Sequence, residues 1–236
     1  MASDHDSHMI PISMPQEPAC FDATVRQRGL AFLQQQGQDP QQEPQNGSSI
    51  WRNGAGNFWR AVKDELRTGY NNRCVYSCFV LEEERQQDGT LRSTHSIDHF
   101  QPRSRSPAYL AYEWSNLRWT WNVIDNECKK DHLIPEEHDP IRLTRDIMEL
   151  KKDDNGDWIV VPDSSLTTSE QEKIGRTIQD LGLNRRRVKI RRNQYVEDFL
   201  DKDNHYGSDF MEERQPFIYR ELKRLGWIQE AKEKNL

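Results

Sequence analysis

Most predicted strands lie in the middle of the 236-residue sequence, with mainly helical segments before and after them, and this segregation predicts an α+β fold. Hydrophobic residues make up only 34% of the chain and charged residues reach 31%, so we expect a modest core. Seven tryptophans and seven tyrosines offset the low apolar fraction, because each aromatic side chain buries a large area. The expected architecture is therefore a small mixed core with helical extensions.

The first half of the chain contains a predicted helical region followed by a predicted sheet. Residues 19–69 form the helical region, and apolar residues recur at helical spacing over 58–68. Residues 74–82 are rich in β-forming side chains. The Asp88-Gly89 pair predicts a tight turn that leads into a second strand over 90–97.

Residues 141–236 are predicted to form a mainly helical C-terminal region. A short strand is expected over 158–161, and three helices over 168–181, 186–200 and 211–225. Thr168-Ser169, followed by Gln171 and Glu172, forms a capping pattern at the start of the first of these helices.

The beginning of the chain is read as a tail over residues 1–18. Its first eight residues lack pattern, and Ser7-His8-Met9 resembles a cloning scar. No apolar run approaches the roughly 18 residues of a membrane span, and no secretory segment is visible. We therefore expect a soluble, cytoplasmic protein with no membrane partner.

The charge balance bears on how this chain would hold nucleic acid. The formal net charge is −6, whereas non-specific DNA affinity comes from Lys and Arg that neutralise phosphates. Basic residues must then cluster on one face, or a partner must carry much of the binding. The clearest basic run comprises Arg185, Arg186, Arg187, Lys189, Arg191 and Arg192, which are candidate DNA contacts.

Residues 96–129 carry the groups from which a hydrolytic site can be built. Phosphodiester hydrolysis needs a base for water and a cation at the phosphate. His99 can serve as a base near neutral pH, and Asp and Asn oxygens suit Mg²⁺. Adjacent residues of a strand point to opposite faces, so Asp98 and His99 can act at one site only if the chain turns irregularly there. We therefore expect an irregular turn at these residues.

The order of these residues resembles that of HNH endonucleases with the ββα-metal fold. Asp98-His99 is followed by Pro102, then by the Trp114-to-Leu117 segment, then by an Asn-x-x-Lys segment that ends at Lys129. The resemblance covers about residues 70–140 and implies an HNH nuclease core there.

The resemblance also implies roles for four residues. His99 would be the general base and Asp98 a metal ligand, while Asn116 would hold the loop that carries the base and Asn126 would complete the metal site. The cofactor would be Mg²⁺ or Mn²⁺. Asp125 is the alternative to Asn126, because their register on a helix decides which one faces the cation.

A structural zinc site is not expected, although one quartet is conceivable. Many members of the family carry two Cys-x-x-Cys pairs, but this chain has one Cys-x-x-x-Cys pair, Cys74 and Cys78, with no second pair at the expected place. Cys128 and His132 could complete a substitute quartet. The alternative is that these cysteines are small buried hydrophobic residues.

Further segments resemble the PtuB nuclease subunits of Septu-type anti-phage defence systems. They include residues 25–30, the Cys74-to-Cys78 segment, residues 111–114 and residues 178–184. This resemblance implies DNA as substrate and an SMC/ABC-type ATPase subunit (PtuA-like) as partner. Two alternatives stay open: a self-sufficient restriction-type nuclease, and a non-catalytic binding module with the HNH fold.

Overall fold

The computed structural model describes residues 12–45, 47–85, 88–89, 91–201 and 208–228. Over these residues the chain combines helices with small antiparallel sheets, which confirms the α+β class. The chain divides into two compact units. The site unit comprises Ser13–Val75 and Leu81–Pro135, and the C-terminal unit comprises Tyr76–Val80 and the described part of Glu136–Leu236, with Ile12. Residues 1–11 of the predicted tail lie outside the described residues.

The helices of the site unit are short and begin with tighter or wider turns. A π-helical turn, Asp22–Arg26, leads into helix α1, Gln27–Gln35. A 3₁₀ turn, Phe58–Val62, leads into helix α2, Lys63–Gly69. Gly29 allows α1 to approach the ring of Tyr112, because a Cβ at this position would lie 2.1 Å from the ring.

Two small antiparallel ladders follow in the site unit. Strands β1, Glu84–Arg85, and β2, Leu91–Arg92, flank the predicted Asp88-Gly89 turn. Strand β3, His95–His99, pairs along its whole length with β4, Leu117–Trp121.

The structure corrects the prediction of β structure over residues 74–82. This segment is irregular, and Cys78 has a φ of +60°, which no extended strand residue adopts. The chain also passes from one compact unit to the other at Tyr76 and back after Val80, so the segment cannot add a continuous strand to the β3–β4 ladder.

A helix completes the β3–β4 unit. Between the strands lie 3₁₀ turns at Ala108–Tyr112 and Trp114–Asn116, and after β4 the chain forms a π-helical segment, Val123–Lys129. This segment contacts both strands. Every residue of β4 is buried, so the strand forms the centre of this part of the core. The local order is thus strand, strand, helix.

The C-terminal unit pairs one hairpin with helices. Strand β5, Met148–Lys152, pairs with β6, Trp158–Pro162. The helices are α3 (Thr168–Asp180), α4 (Arg186–Leu200), α5 (Ser208–Arg214) and α6 (Pro216–Arg224). The predicted single helix over 211–225 is two helices, because Pro216 cannot continue α5 and instead occupies the first turn of α6. In the described residues no helix is long and apolar enough to cross a lipid bilayer.

Candidate active site

The last two residues of β3 contact different neighbours. Asp98 faces the 123–129 helix, where the ammonium group of Lys129 lies 3.1 Å from its Oδ1. Lys129 is fully buried and also donates to the carbonyl oxygen of His99 at 2.8 Å. The irregular turn expected at Asp98 begins only after His99, because His99 still pairs with Leu117 of β4. One lysine therefore ties the helix to the end of the strand.

A second carboxyl group lies against Asp98. Asp125, on the same helix, is hydrogen-bonded to Asp98, and Ser96 donates to its Oδ2 at 2.7 Å. Burial, and after it the neighbouring Asp98, raise the pKa of Asp125 to about 7. Ser96 and Asp98 are two residues apart on β3, so they share one face of the strand and reach the same helix residue. The arrangement collects hard oxygen donors at one point.

The imidazole of His99 is held in one orientation by the backbone. Its Nε2 lies 3.1 Å from the carbonyl oxygen of Ala111. Because a carbonyl oxygen only accepts hydrogen bonds, Nε2 carries the proton, and Nδ1 of the neutral ring has the lone pair. The ring also packs edge-on against Trp59, with 4.6 Å between centroids. Burial, and after it the charge of Arg103, lower the pKa of His99 well below its ordinary value. His99 is therefore neutral at pH 7, as a proton acceptor must be.

Asn116 connects the two ends of the loop that follows His99. Its Oδ1 accepts from the backbone N–H of Gln101 at 2.7 Å, and its Nδ2 donates to the carbonyl oxygens of Gln101 and Leu110 at 3.1 and 2.9 Å. The side chain is buried, so these three bonds satisfy it in a low-dielectric setting. Leu110 directly precedes Ala111, the residue that accepts from His99. Asn116 thus braces the loop that orients the imidazole.

The structure brings Asp125, and not Asn126, to Asp98. Asn126 is exposed on the outer side of the 123–129 helix, whereas Asp125 is partly buried against β3. The preference for Asn126 is revised accordingly. It rested on the three-residue spacing to Lys129, which presumes ordinary helical turns, but the segment has π-helical hydrogen bonding.

The conceivable zinc quartet does not assemble. No group of three His, Cys, Asp or Glu side chains among the described residues converges as a metal site. Cys74, Cys78 and Cys128 are buried thiols, and Sγ of Cys74 lies 3.4 Å from the hydroxyl of Thr120. Cys74 and Cys128 belong to the site unit, and Cys78 belongs to the C-terminal unit.

Arg103 is a site residue that sequence reasoning missed. It lies in the loop after β3, and its charge acts on both Asp98 and Asp125 as well as on His99. The sequence offered one indication of its place in the site, because Arg103 directly follows Pro102 of the motif. Its neighbours Trp51 and Trp59, however, come from distant positions that no local pattern connects to it.

The basic run of helix α4 is only partly available to a ligand. Arg192 is buried and donates to the carbonyl oxygens of Trp158 and Leu183, so it cannot contact DNA in this fold. Lys189 pairs with Asp153 and Asp157.

The remaining candidates differ in exposure. Arg191 is partly buried and donates to the Tyr195 hydroxyl and the Val80 carbonyl oxygen. The exposed candidate contacts are those at the start of the helix, Arg185, Arg186 and Arg187.

Comparison with known proteins found no match for this chain, either to a family model or to a curated protein.

Proposed function

We propose that this protein is a metal-dependent endonuclease of the HNH type that hydrolyses DNA phosphodiester bonds. One observation carries the proposal: the carboxyl groups of Asp98 and Asp125 meet at the end of β3, one residue from a neutral imidazole. The strand, strand, helix order of residues 95–129 supports the same proposal.

The residues of the chain divide the chemistry between them. Nδ1 of His99 accepts a proton from water as the water oxygen bonds to phosphorus. The bond from phosphorus to the leaving oxygen breaks, and this oxygen keeps the electron pair and takes a proton from solvent. Asn116 keeps the loop, and hence the Ala111 carbonyl that fixes the imidazole, in place. His99 is therefore the catalytic residue, and Asn116 is a positioning residue.

The donor set at Asp98 fits a divalent cation. Two carboxyl groups in contact repel each other when both are ionised, and the pKa of about 7 for Asp125 reflects this after burial. Hard oxygen donors of this kind suit Mg²⁺ or Mn²⁺. Asp98 and Asp125 would hold the ion, whose chemistry there is Lewis-acid polarisation of the scissile phosphate.

A partner that brings DNA to the site is part of the proposal. The net charge of −6 opposes DNA binding, and three of the six residues in the basic run, Lys189, Arg191 and Arg192, make contacts inside the C-terminal unit. The resemblance to Septu nuclease subunits supplies the identity of the partner, an SMC/ABC-type ATPase. The self-sufficient nuclease remains the alternative.

A plasmid cleavage assay with Mg²⁺, Mn²⁺ or EDTA tests the activity. The parent chain, assayed with and without the proposed ATPase, should cut with either metal and not in EDTA. His99→Gln keeps an amide donor that can reach the Ala111 carbonyl, so it should fold normally. It should nevertheless lose about 10²- to 10⁴-fold in rate, because the base is gone.

His132→Gln is the matched control, since His132 is exposed and lies outside the β3–β4 ladder. It should cut like the parent. If His99→Gln cuts as fast as His132→Gln, the proposed role of His99 is wrong and the HNH function loses its base.

A further inference from the structure

Arg103, in the loop that follows β3, packs against two aromatic rings. Its guanidinium carbon lies 4.8 Å from the centre of the Trp59 ring and 5.2 Å from the centre of the Trp51 ring. Both tryptophans are buried, whereas Arg103 is partly exposed. Arginine stacks on indole faces without using its N–H donors. The two rings therefore fix the position of the charge and leave the hydrogen-bonding edge available.

The guanidinium of Arg103 has no hydrogen-bond or ion-pair partner among the described residues, and its nitrogens reach solvent. Burial lowers its pKa. Arg118 in the same unit shows the usual arrangement, because its buried guanidinium donates to the carbonyl oxygens of Ser115 and Leu117 at 2.7 and 3.0 Å. A half-buried cation with five unused donors is costly unless a ligand supplies acceptors.

The position of Arg103 connects it to the proposed base. Trp59 contacts the guanidinium, and its ring also packs against the imidazole of His99 at 4.6 Å. The charge of Arg103 is felt by His99, Asp98 and Asp125. An anion that binds Arg103 would therefore sit within the electrostatic reach of the groups that carry the proposed chemistry.

We propose that Arg103 binds a phosphate of the DNA substrate, with Trp51 and Trp59 holding the guanidinium ready for that contact. This inference rests on the proposed nuclease function and names the group that anchors the substrate at its site. Arginine suits this role because its planar fork can donate two parallel hydrogen bonds to one phosphate. Preorganisation by the two rings reduces the entropy that ordering a long side chain would cost.

Binding in EDTA tests the inference without any cleavage. The probes are a fluorescein-labelled 12-base-pair DNA duplex and its single strand, titrated with the full chain by anisotropy in about 25 mM salt. Arg103→Gln should weaken binding of the preferred probe about tenfold or more, the effect of losing charge-assisted hydrogen bonds. Arg103→Lys keeps the charge and loses the fork, so it should fall between Arg103→Gln and the parent chain.

Arg105→Gln is the matched control, because Arg105 is exposed and lies two residues away, and among the described residues its side chain donates only to the carbonyl oxygen of Asp131. It removes the same charge and should change binding by about twofold or less. The inference is overturned if Arg103→Gln binds like the parent, or if it loses no more affinity than Arg105→Gln. It is equally overturned if the parent chain binds neither probe.

Melting temperatures separate binding from folding. If Arg103→Gln unfolds at the assay temperature, the affinity of Arg103→Lys for DNA is the test instead, because this variant keeps a cation next to the two rings. Binding as tight as that of the parent chain would then overturn the inference. The nuclease proposal fails separately: a parent chain that binds through Arg103 but never cuts with Mg²⁺ or Mn²⁺ and the ATPase would keep the phosphate contact and lose the enzyme. If Arg103→Gln binds and cuts DNA as well as the parent chain, the nuclease proposal is kept and the phosphate contact of Arg103 is lost.

Discussion

Adjacent residues Asp125 and Asn126 have different environments, and only Asp125 is close to Asp98. Asp125 faces Ser96 and Asp98, while Asn126 is exposed. Asp125→Asn keeps the shape of the side chain and removes its charge. We expect cleavage to fall on the order of 10²-fold in Asp125→Asn, since several kcal/mol of cation binding and phosphate polarisation depend on that carboxylate.

Asn126→Ala provides the comparison for that prediction. It removes the exposed neighbour and should leave the rate within about twofold of the parent, as exposed substitutions usually do. Rates at saturating Mn²⁺ and Mg²⁺ for the two variants give the answer. Equal losses in both, or a larger loss in Asn126→Ala, would return the metal-ligand role to Asn126.

His95 is a buried histidine with an unusual environment. It stacks on Trp119 at 4.3 Å, and neither ring nitrogen has a hydrogen-bond partner among the described residues. Burial, and after it the charges of Lys63 and Arg67, lower its pKa to about 4. The opposing charges come from Asp64 and Glu83.

Stability should therefore depend on pH through His95. Between about pH 6.5, the ordinary histidine pKa, and pH 4 the unfolded chain binds a proton at His95 that the folded chain does not. Above that pH range His95 does not change the free energy of unfolding, and within the range it lowers this free energy progressively as the pH falls. We expect His95→Phe, which keeps the stacking on Trp119, to flatten the decline in melting temperature between pH 7 and pH 5.

Thermal melts of the parent, His95→Phe and His132→Gln across that range check this. The exposed His132 serves as the control, and its variant should follow the parent curve. A His95→Phe curve parallel to the parent curve would show that His95 does not resist protonation.

At the scale of elements, the 123–129 helix ends in an unfavourable backbone conformation. Lys130 follows the helix with φ 44° and ψ −115°, and its N–H donates to the carbonyl oxygen of Asp125. This region is costly for any residue with a Cβ and open to glycine. Lys130→Gly should therefore stabilise the fold by about 1 kcal/mol, which corresponds to roughly 2–4 °C in melting temperature.

Lys130→Ala controls for the loss of the lysine side chain. Because it keeps a Cβ, it should show no such gain. Differential scanning calorimetry of the two variants compares them directly. A gain shared by both would point to the lysine charge rather than to the backbone, and no gain in either would show that the strain is relieved elsewhere.

The elements that the sequence predicted well are those with strong local signals. Helix α4 lies where its helical pattern placed it, over 186–200. Helix α3, Thr168–Asp180, also matches its predicted range, but its capping box joins Thr167 to Glu170, one residue earlier than the predicted capping residues Thr168 and Ser169. Asp88-Gly89 also lies between two paired strands, although these strands, β1 and β2, are shorter than predicted and β1 begins after the predicted first strand ends. In each case the determining interactions lie within a few residues.

Other features depend on distant partners and were not predictable. The pairing of β3 with β4 spans the whole loop that carries His99's contact to Ala111. In the candidate site, Asp98, His99 and Asn116 follow from the motif, but Trp51 and Trp59 reach Arg103 only through folding. The π-helical turns determined that Asp125 faces Asp98, and a pattern based on 3.6 residues per turn could not show this.

For the whole molecule, the distribution of charge predicts weak DNA binding by the chain alone. Acidic and basic residues nearly balance in the site unit, whereas acidic residues outnumber basic ones by three in the C-terminal unit. We expect the isolated chain to bind a 30-base-pair duplex weakly at about 150 mM salt, in the micromolar range or above, as in non-specific binding. Adding the proposed ATPase should restore both binding and cleavage.

Anisotropy at increasing salt, with the chain alone and with the ATPase, measures this difference. The ATPase alone is the control, because its own DNA affinity must be subtracted. Tight binding and efficient cutting by the isolated chain at physiological salt would favour the self-sufficient nuclease over the partnered one.

Residues 76–80 belong to the C-terminal unit although they precede half of the site unit in the sequence, and this order affects folding during translation. The site unit is complete once residue 135 has been made, but Tyr76, Phe79 and Val80 are buried in the C-terminal unit, where Phe79 packs on Tyr195. During translation this apolar segment therefore stays exposed to solvent until the rest of the C-terminal unit has left the ribosome. A gene fragment that stops at residue 135 would encode the whole candidate site but would leave the aromatic and aliphatic side chains of this segment exposed, which favours aggregation.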